Sequence, residues 1–264
     1  MAQVKPKKAL GQHFLTDLGV AAKIAATLND YVGVPVLEIG PGMGVLTRPL
    51  LEAGHDLTVV EIDRESVEYL DRTFPELRGH VIEGDFLQLD LAKIFGGRKF
   101  CVIGNYPYNI SSQIFFKVLD YKDMVPCCSG MLQREVAERI AAPEGSKVRG
   151  ILSVLLQAWY DIDYLFTVSE RVFNPPPKVK SGVIIMRRNG VTDLGCDEAL
   201  FKKVVKTTFG QRRKTIRNSV RGLLPPGVVA DDNPLLAMRP EQLSVSQFIQ
   251  LTNYVSQICK EVRQ

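Results

Sequence analysis

The chain is poor in the residues that build metal centres and disulfide frameworks. Its five cysteines, Cys101, Cys127, Cys128, Cys196 and Cys259, form no CxxC pair, and its three histidines, His13, His55 and His80, lie far apart. Neither a disulfide scaffold nor a zinc site is expected, and no metal is assigned. No stretch of eighteen consecutive apolar residues occurs, which speaks against a membrane-spanning helix. The opening MAQVKPKKALGQHFLTD lacks the apolar core and small-residue cleavage site of a signal peptide, so a cytoplasmic location is expected. At 264 residues, 45% hydrophobic and 23% charged, the chain is too apolar for disorder and too mixed for collagen or coiled coil. Its length suits one full domain with a smaller appendage.

Acidic residues are missing from two places. The first sixteen residues carry Lys5, Lys7 and Lys8 without an acid, and residues 201–222 carry Lys202, Lys203, Lys206, Arg212, Arg213, Lys214, Arg217 and Arg221, again without one. Since the whole chain sums to only +4, the rest is a net acidic body. A solvated helix face usually intersperses both signs, so acid-free basic blocks point to a polyanionic partner. Nucleic acid fits better than a membrane surface, because neither block alternates bulky apolar residues as an interfacial helix does.

The remaining pattern alternates two periods. Residues 18–30 space apolar groups as a helix does, and VPVLEIG at 34–40 is a short apolar run ending at glycine, as a buried parallel strand does. Helical VLTRPLLEAG, the strand LTVVEID and the helix RESVEYLDRTF follow, then strands in HVIEGDFL at 80–87 and KFCVIGNYPY at 99–108, with Ser111 expected to cap the next helix. CCSGMLQREVAERI gives a fifth strand and helix, and residues 151–188 give a helix and two strands with no helix between them, expected to pair antiparallel at an edge. This order predicts an α/β fold with a mostly parallel sheet over residues 1–189, followed by a small α-helical domain over 190–264.

Three motifs sit where such a sheet binds ligands, at the carboxyl ends of its strands. Glu38–Gly44 reads EIGPGMG, with glycines at 40, 42 and 44. The spacing is GxGxG; a dinucleotide fingerprint wants its third glycine where Val45 stands, which favours S-adenosylmethionine, a nucleoside without a phosphate, over NAD. Glu61 ends the second strand, where a carboxylate accepts hydrogen bonds from both ribose hydroxyls; Asp63 is the weaker candidate. Asp85, in EGDF, ends the third strand, where it can accept from an adenine amino group. Asn105–Tyr108, NYPY, follows the fourth. An exocyclic amine is a poor nucleophile because its lone pair is delocalised into the ring. Acceptors such as the Asn105 amide oxygen and the Tyr106 or Pro107 carbonyl draw the nitrogen toward tetrahedral geometry, while Tyr108 stacks on the base.

KKALGQHFL at 7–15, LEIGPGMGVLT at 37–47, VVEID, EGDF, GNYPYNISS at 104–112, VFNPPPKVKS at 172–181 and TFGQRRKTIRN at 208–218 together resemble the KsgA family of small-subunit ribosomal RNA adenine N6-dimethyltransferases. The resemblance covers nearly the whole chain and implies a Rossmann-like class I methyltransferase fold. It implies S-adenosylmethionine as methyl donor, and as substrate two adjacent adenosines in a hairpin near the 3′ end of 16S rRNA, within the immature 30S subunit. It also implies that His13, Leu15, Gly40, Gly42, Glu61, Asp85 and Asn105 hold the cofactor, that Asn105, Tyr108 and Phe173 are catalytic, with Phe173 sandwiching the target base against Tyr108, and that residues 190–264 grip RNA. A monomer is expected. His13 stands where asparagine is more usual in the family, and Tyr106 where leucine or isoleucine is. Three rival readings remain: a resistance-type enzyme acting on large-subunit RNA, an assembly factor whose binding outweighs its catalysis, and an NAD-dependent oxidoreductase.

Overall fold

The computed structural model of the chain describes residues 4–7, 10–231 and 233–262. Lys8 of the first basic stretch therefore lies outside the described residues. The chain divides into two compact units. One holds residues 1–138 and 161–188; the other holds residues 139–160 and 189–264.

The first unit is built on a seven-stranded sheet. Four short apolar strands, β2 (Val36–Ile39), β3 (Leu57–Glu61), β4 (Val81–Glu83) and β5 (Cys101–Asn105), lie side by side in the order β4-β3-β2-β5, all parallel. The order is continued by β6 (Cys127–Gln133), parallel to β5, then by β9 (Ser181–Arg188), antiparallel to β6, and finally by β7 (Tyr160–Val168) at the edge. The last strand of the chain is thus inserted inside the edge rather than added outside it. Its register, Gly130 opposite Ile184 and Met131 opposite Val183, buries an unbroken apolar run from Val183 to Met186, which an edge strand facing water on one side would not require.

Helices cross between the parallel strands: α2 (Thr47–Glu52), α3 (Arg64–Thr73), the short α4 (Leu91–Ile94) and α5 (Ser111–Asp120). Their caps follow from local sequence. Asp63 ends its strand extended and accepts from the Glu65 amide to start α3, and Asp85 accepts from the Leu87 amide at 2.9 Å to start the turn Phe86–Gln88. Ser111 departs from expectation: it is the first residue of α5, preceded by Ile110, and its hydroxyl donates to the Tyr108 carbonyl at 3.2 Å instead of accepting a helix amide. A two-residue strand β1 (Phe14–Leu15), before helix α1 (Leu18–Ala25), pairs antiparallel with β8 (Phe173–Asn174). Nothing so short leaves a periodicity in the sequence.

After β6 comes α6 (Arg134–Ala141), and the second unit is helical, its elements including α7 (Ile151–Gln157) and α9 (Ile216–Ser219). In α8 (Glu198–Gly210), Phe201, Val204, Val205 and Thr208 recur at three- and four-residue spacing and are buried. They form one core face with the buried Phe248, Leu251, Thr252 and Val255 of α10 (Val245–Glu261), where the Phe209 and Phe248 rings stack at 6.0 Å.

Candidate active site

Strand register aligns the chemistry. Ile39 pairs with Val60 on one side and Gly104 on the other, so the next residues, Gly40, Glu61 and Asn105, stand abreast at the carboxyl ends of three adjacent parallel strands. Glu61 pairs with Glu83, which places Gly84 and Asp85 just beyond on the fourth. All five line an open cleft, closed on its remaining side by Leu10–Phe14.

The glycine turn approaches its neighbours too closely for side chains. Gly40, Gly42 and Gly44 have φ of 66°, 56° and 76°. A Cβ on Gly42 would meet the Phe14 ring at 2.8 Å, and one on Gly44 the Phe74 ring at 2.3 Å. Glu61, 4% exposed, is seated by three amides: Gly42 donates to Oε2 at 3.0 Å, and Ile62 and Asp63 each donate to Oε1 at 2.9 Å. Burial raises its pKa, and those three hydrogen bonds oppose the rise. A carboxylate offers about four acceptor sites, so Glu61 keeps capacity for a ligand hydroxyl. Asp63 is occupied otherwise. It pairs with Lys7, which also reaches Glu65 at 3.0 Å, and accepts from Ser66 at 3.1 Å. Burial pushes its carboxyl up, but the hydrogen bonds from Lys7, Gln12 and Ser66 outweigh that and hold it below the ordinary carboxylate range. Lys7 of the N-terminal basic stretch is therefore engaged within the protein. One further carboxyl, Glu38, is 1% exposed beside the Thr47 hydroxyl at 2.7 Å; burial pushes its pKa up to about 8.

Asn105–Tyr108 fills the opposite wall. The Asn105 amide nitrogen donates to the His13 carbonyl at 3.1 Å, which orients the side chain and leaves its oxygen as the acceptor. The Tyr108 hydroxyl bonds Ser181 at 2.6 Å, and burial raises its pKa. Tyr106 turns away into the core, 1% exposed, its hydroxyl donating to the Ser129 carbonyl at 2.6 Å and its ring set edge-on to Phe115. Room for that large ring comes from two missing side chains: a Cβ on Gly130 would stand 2.6 Å from it and one on Gly104 3.0 Å. The tyrosine in place of an aliphatic residue is thus accommodated beneath the acceptor segment without displacing Asn105.

His13 lines the cleft with both its backbone and its ring engaged. Its ring lies 5.7 Å from that of Tyr108 at 27°, and its Nδ1 is 2.7 Å from the Pro175 carbonyl. Two expected site residues are not brought into the cleft. Leu15 is 4% exposed and Phe173 also 4%; the two are paired across β1 and β8 and belong to the hydrophobic core with Ile24, Met131 and Val183. Strand alternation explains this, because Phe14 turns toward Gly42 and its neighbour Leu15 must turn the other way. The ring stacked against Tyr108 is that of His13, while Phe173 lies in the core. Sequence reasoning missed Phe14, Gln12, Ile62 and Phe86 as lining residues; the clue for Phe14 was its place in GQHFL, next to a histidine already singled out.

A mostly parallel sheet whose strand ends present a GxGxG turn, a carboxylate seated on three amides and an Asn-Tyr-Pro-Tyr wall is that of a class I, S-adenosylmethionine-dependent methyltransferase. The family model for ribosomal RNA adenine dimethylase matches residues 3–257, and the chain belongs to that family. It is 69% identical over 252 residues to the ribosomal RNA small subunit methyltransferase A of Parabacteroides distasonis, spanning 96% of this chain and 94% of the relative. Among solved structures it is similar to a dimethyladenosine transferase of Plasmodium falciparum, with TM-score 0.74, 23% identity and coverage of 90% and 96%. It is also similar to the 23S rRNA methyltransferase ErmE, with TM-score 0.66, 25% identity and coverage of 92% and 99%.

Proposed function

We propose that the protein methylates N6 of two adjacent adenosines in a hairpin near the 3′ end of 16S rRNA, giving dimethyladenosines, and that it does so as a monomer on the immature 30S subunit in the cytoplasm. The observation that carries the chemistry is the orientation of Asn105, whose nitrogen is held by His13 so that its oxygen serves as acceptor abreast of the glycine turn and Glu61.

S-adenosylmethionine, when bound, supplies an electrophilic methyl group on a sulfonium. The cleft fits it: the glycine turn admits close approach, Glu61 accepts from the ribose hydroxyls and Asp85 from the adenine amino group. Gly42 reaches the ligand through its backbone. Across the cleft, the Asn105 oxygen and the Tyr106 or Pro107 carbonyl accept the two hydrogens of the target amine, raising the electron density available at nitrogen. Tyr108 holds the base by its ring face, with His13 at its side. Orientation supplies much of the acceleration, since the reactants are held in line. The methylated amine is acidic enough to lose its proton without a strong side-chain base. In the helical unit, Lys203, Arg213, Lys214 and Arg221 are exposed, and they contribute phosphate contacts that set register rather than read sequence.

The test is labelling of 30S particles, naked 16S RNA and 50S particles with radioactive S-adenosylmethionine. Dimethyladenosine confined to the 3′ region of 30S particles is expected; label in large-subunit RNA selects the resistance-type reading, and tight binding without label selects the assembly-factor reading.

A further inference from the structure

The turn that carries Asp85 is short. It is three residues of tight helix, Phe86–Gln88, between β4 and α4, capped at its start by Asp85 itself. A carboxylate meant to read one amino group needs a rigid mount, and so short a turn does not supply one. A single side chain from another element does. Lys117, on the last turn of α5 and half-buried, donates from Nζ to the Leu87 carbonyl at 3.0 Å and to the Leu89 carbonyl, and the same ammonium lies 5.3 Å from the centre of the Phe86 ring. Three groups of the turn and its C-terminal cap, one ring and two carbonyls, are thus gathered on one charge. Phe86 and Asp85 both line the cleft. Burial lowers the pKa of Lys117, while the carboxylates of Asp85, Asp90 and Asp120 pull it back up, so Asp85 lies within the field of the ammonium.

We infer that Lys117 is a positioning residue for the cofactor's adenine: it fixes the Asp85–Leu89 turn so that the Asp85 carboxylate meets the adenine amino group, and thereby sets selectivity for adenine over a 6-oxo purine. The inference rests on the reading of Asp85 given above. Lysine suits the task because a compact ammonium can donate to two converging carbonyls while facing an aromatic ring.

Calorimetric titration of the full chain with S-adenosylhomocysteine and with its 6-oxo analogue, S-inosylhomocysteine, tests it. Lys117→Met should weaken S-adenosylhomocysteine about tenfold, the scale of one lost hydrogen bond to a charged group, and leave the inosyl analogue unchanged, so that discrimination between the two collapses. Lys117→Arg should restore part of it. Asp85→Ala, which removes the acceptor, should weaken the adenosyl ligand in the same way, and the double variant should be no weaker than Asp85→Ala alone. Equal weakening of both ligands by Lys117→Met, or no weakening, overturns the inference while leaving Asp85 in place. If Asp85→Ala binds S-adenosylhomocysteine like the parent, the Asp85 reading fails and takes this inference with it. Should Lys117→Met not fold, as judged by its melting curve, Lys117→Gln, which keeps a donor, carries the same comparison.

Discussion

The cleft at the strand ends and the basic surface of the helical unit handle charge in opposite ways. In and around the cleft the charged groups are seated: Glu61 on three amides, Asp85 on the Leu87 amide, Asp63 on Lys7 and Ser66, Lys117 on two carbonyls. On α8 and the segment after it, Arg213, Lys214 and Arg221 are exposed, and the ion pairs of Arg212 with Glu241 at 3.8 Å and Arg217 with Asp231 at 3.2 Å involve partly exposed side chains. A small ligand must be met by groups already in position, because reorganisation would cost the affinity or rate they provide. A polyanion is met by many weak, screened and replaceable charges, whose sum matters more than any one geometry. Single substitutions should therefore be severe in the first region and graded in the second.

Asn105→Ala makes the sharpest test. It removes the oriented acceptor, and single-turnover methyl transfer should fall by about 10²–10³-fold while RNA affinity, read by filter binding, stays unchanged. Next comes Glu38→Gln. Folded Glu38 keeps its proton from its ordinary value of 4.5 up to about 8, whereas the unfolded chain releases it near 4.5. Rising pH across that window therefore favours unfolding, and the stability is fully present only below it. Glutamine still offers Thr47 an acceptor, so the variant should lose this pH dependence in urea melts and gain a few kcal/mol at most near pH 8. Gly44→Ala places a Cβ against Phe74 at a φ of 76° and should cost about 1–3 kcal/mol in the same melts. The smallest effect belongs to the basic surface. Arg213→Gln with Lys214→Gln should weaken RNA binding only several-fold, shrink the salt slope by about one unit per lost phosphate contact, and leave turnover at saturating RNA as it was.

How much of this was legible in the sequence follows the same division. The four parallel strands, the glycine turn, Glu61, Asp85 and Asn105 could be placed because a strand end that meets a ligand needs glycine or an acid at a definite position. Asp63 ranked below Glu61, and the structure uses it as a helix cap and anchor. What escaped were long-range partnerships without local periodicity: β1 with β8, which takes Leu15 and Phe173 into the core, the insertion of β9 inside β7, and the Lys7–Asp63 pair. Lys7 sits in an acid-free stretch with Lys5 and Lys8 that points to a polyanion, because charge runs show sign but not partner. The fit of Tyr106 depended on Gly130, twenty-four positions away and on a different strand, where nothing in the local pattern marks a close approach.

The line of strand ends from Gly40 to Asp85 is proposed as the S-adenosylmethionine site. Calorimetric titration of the parent chain, Glu61→Ala and Asp85→Ala with S-adenosylhomocysteine and with NAD tests it. Saturable binding of S-adenosylhomocysteine to the parent, weakened by each substitution, and no binding of NAD are expected; binding of NAD, or S-adenosylhomocysteine affinity indifferent to both substitutions, would contradict it.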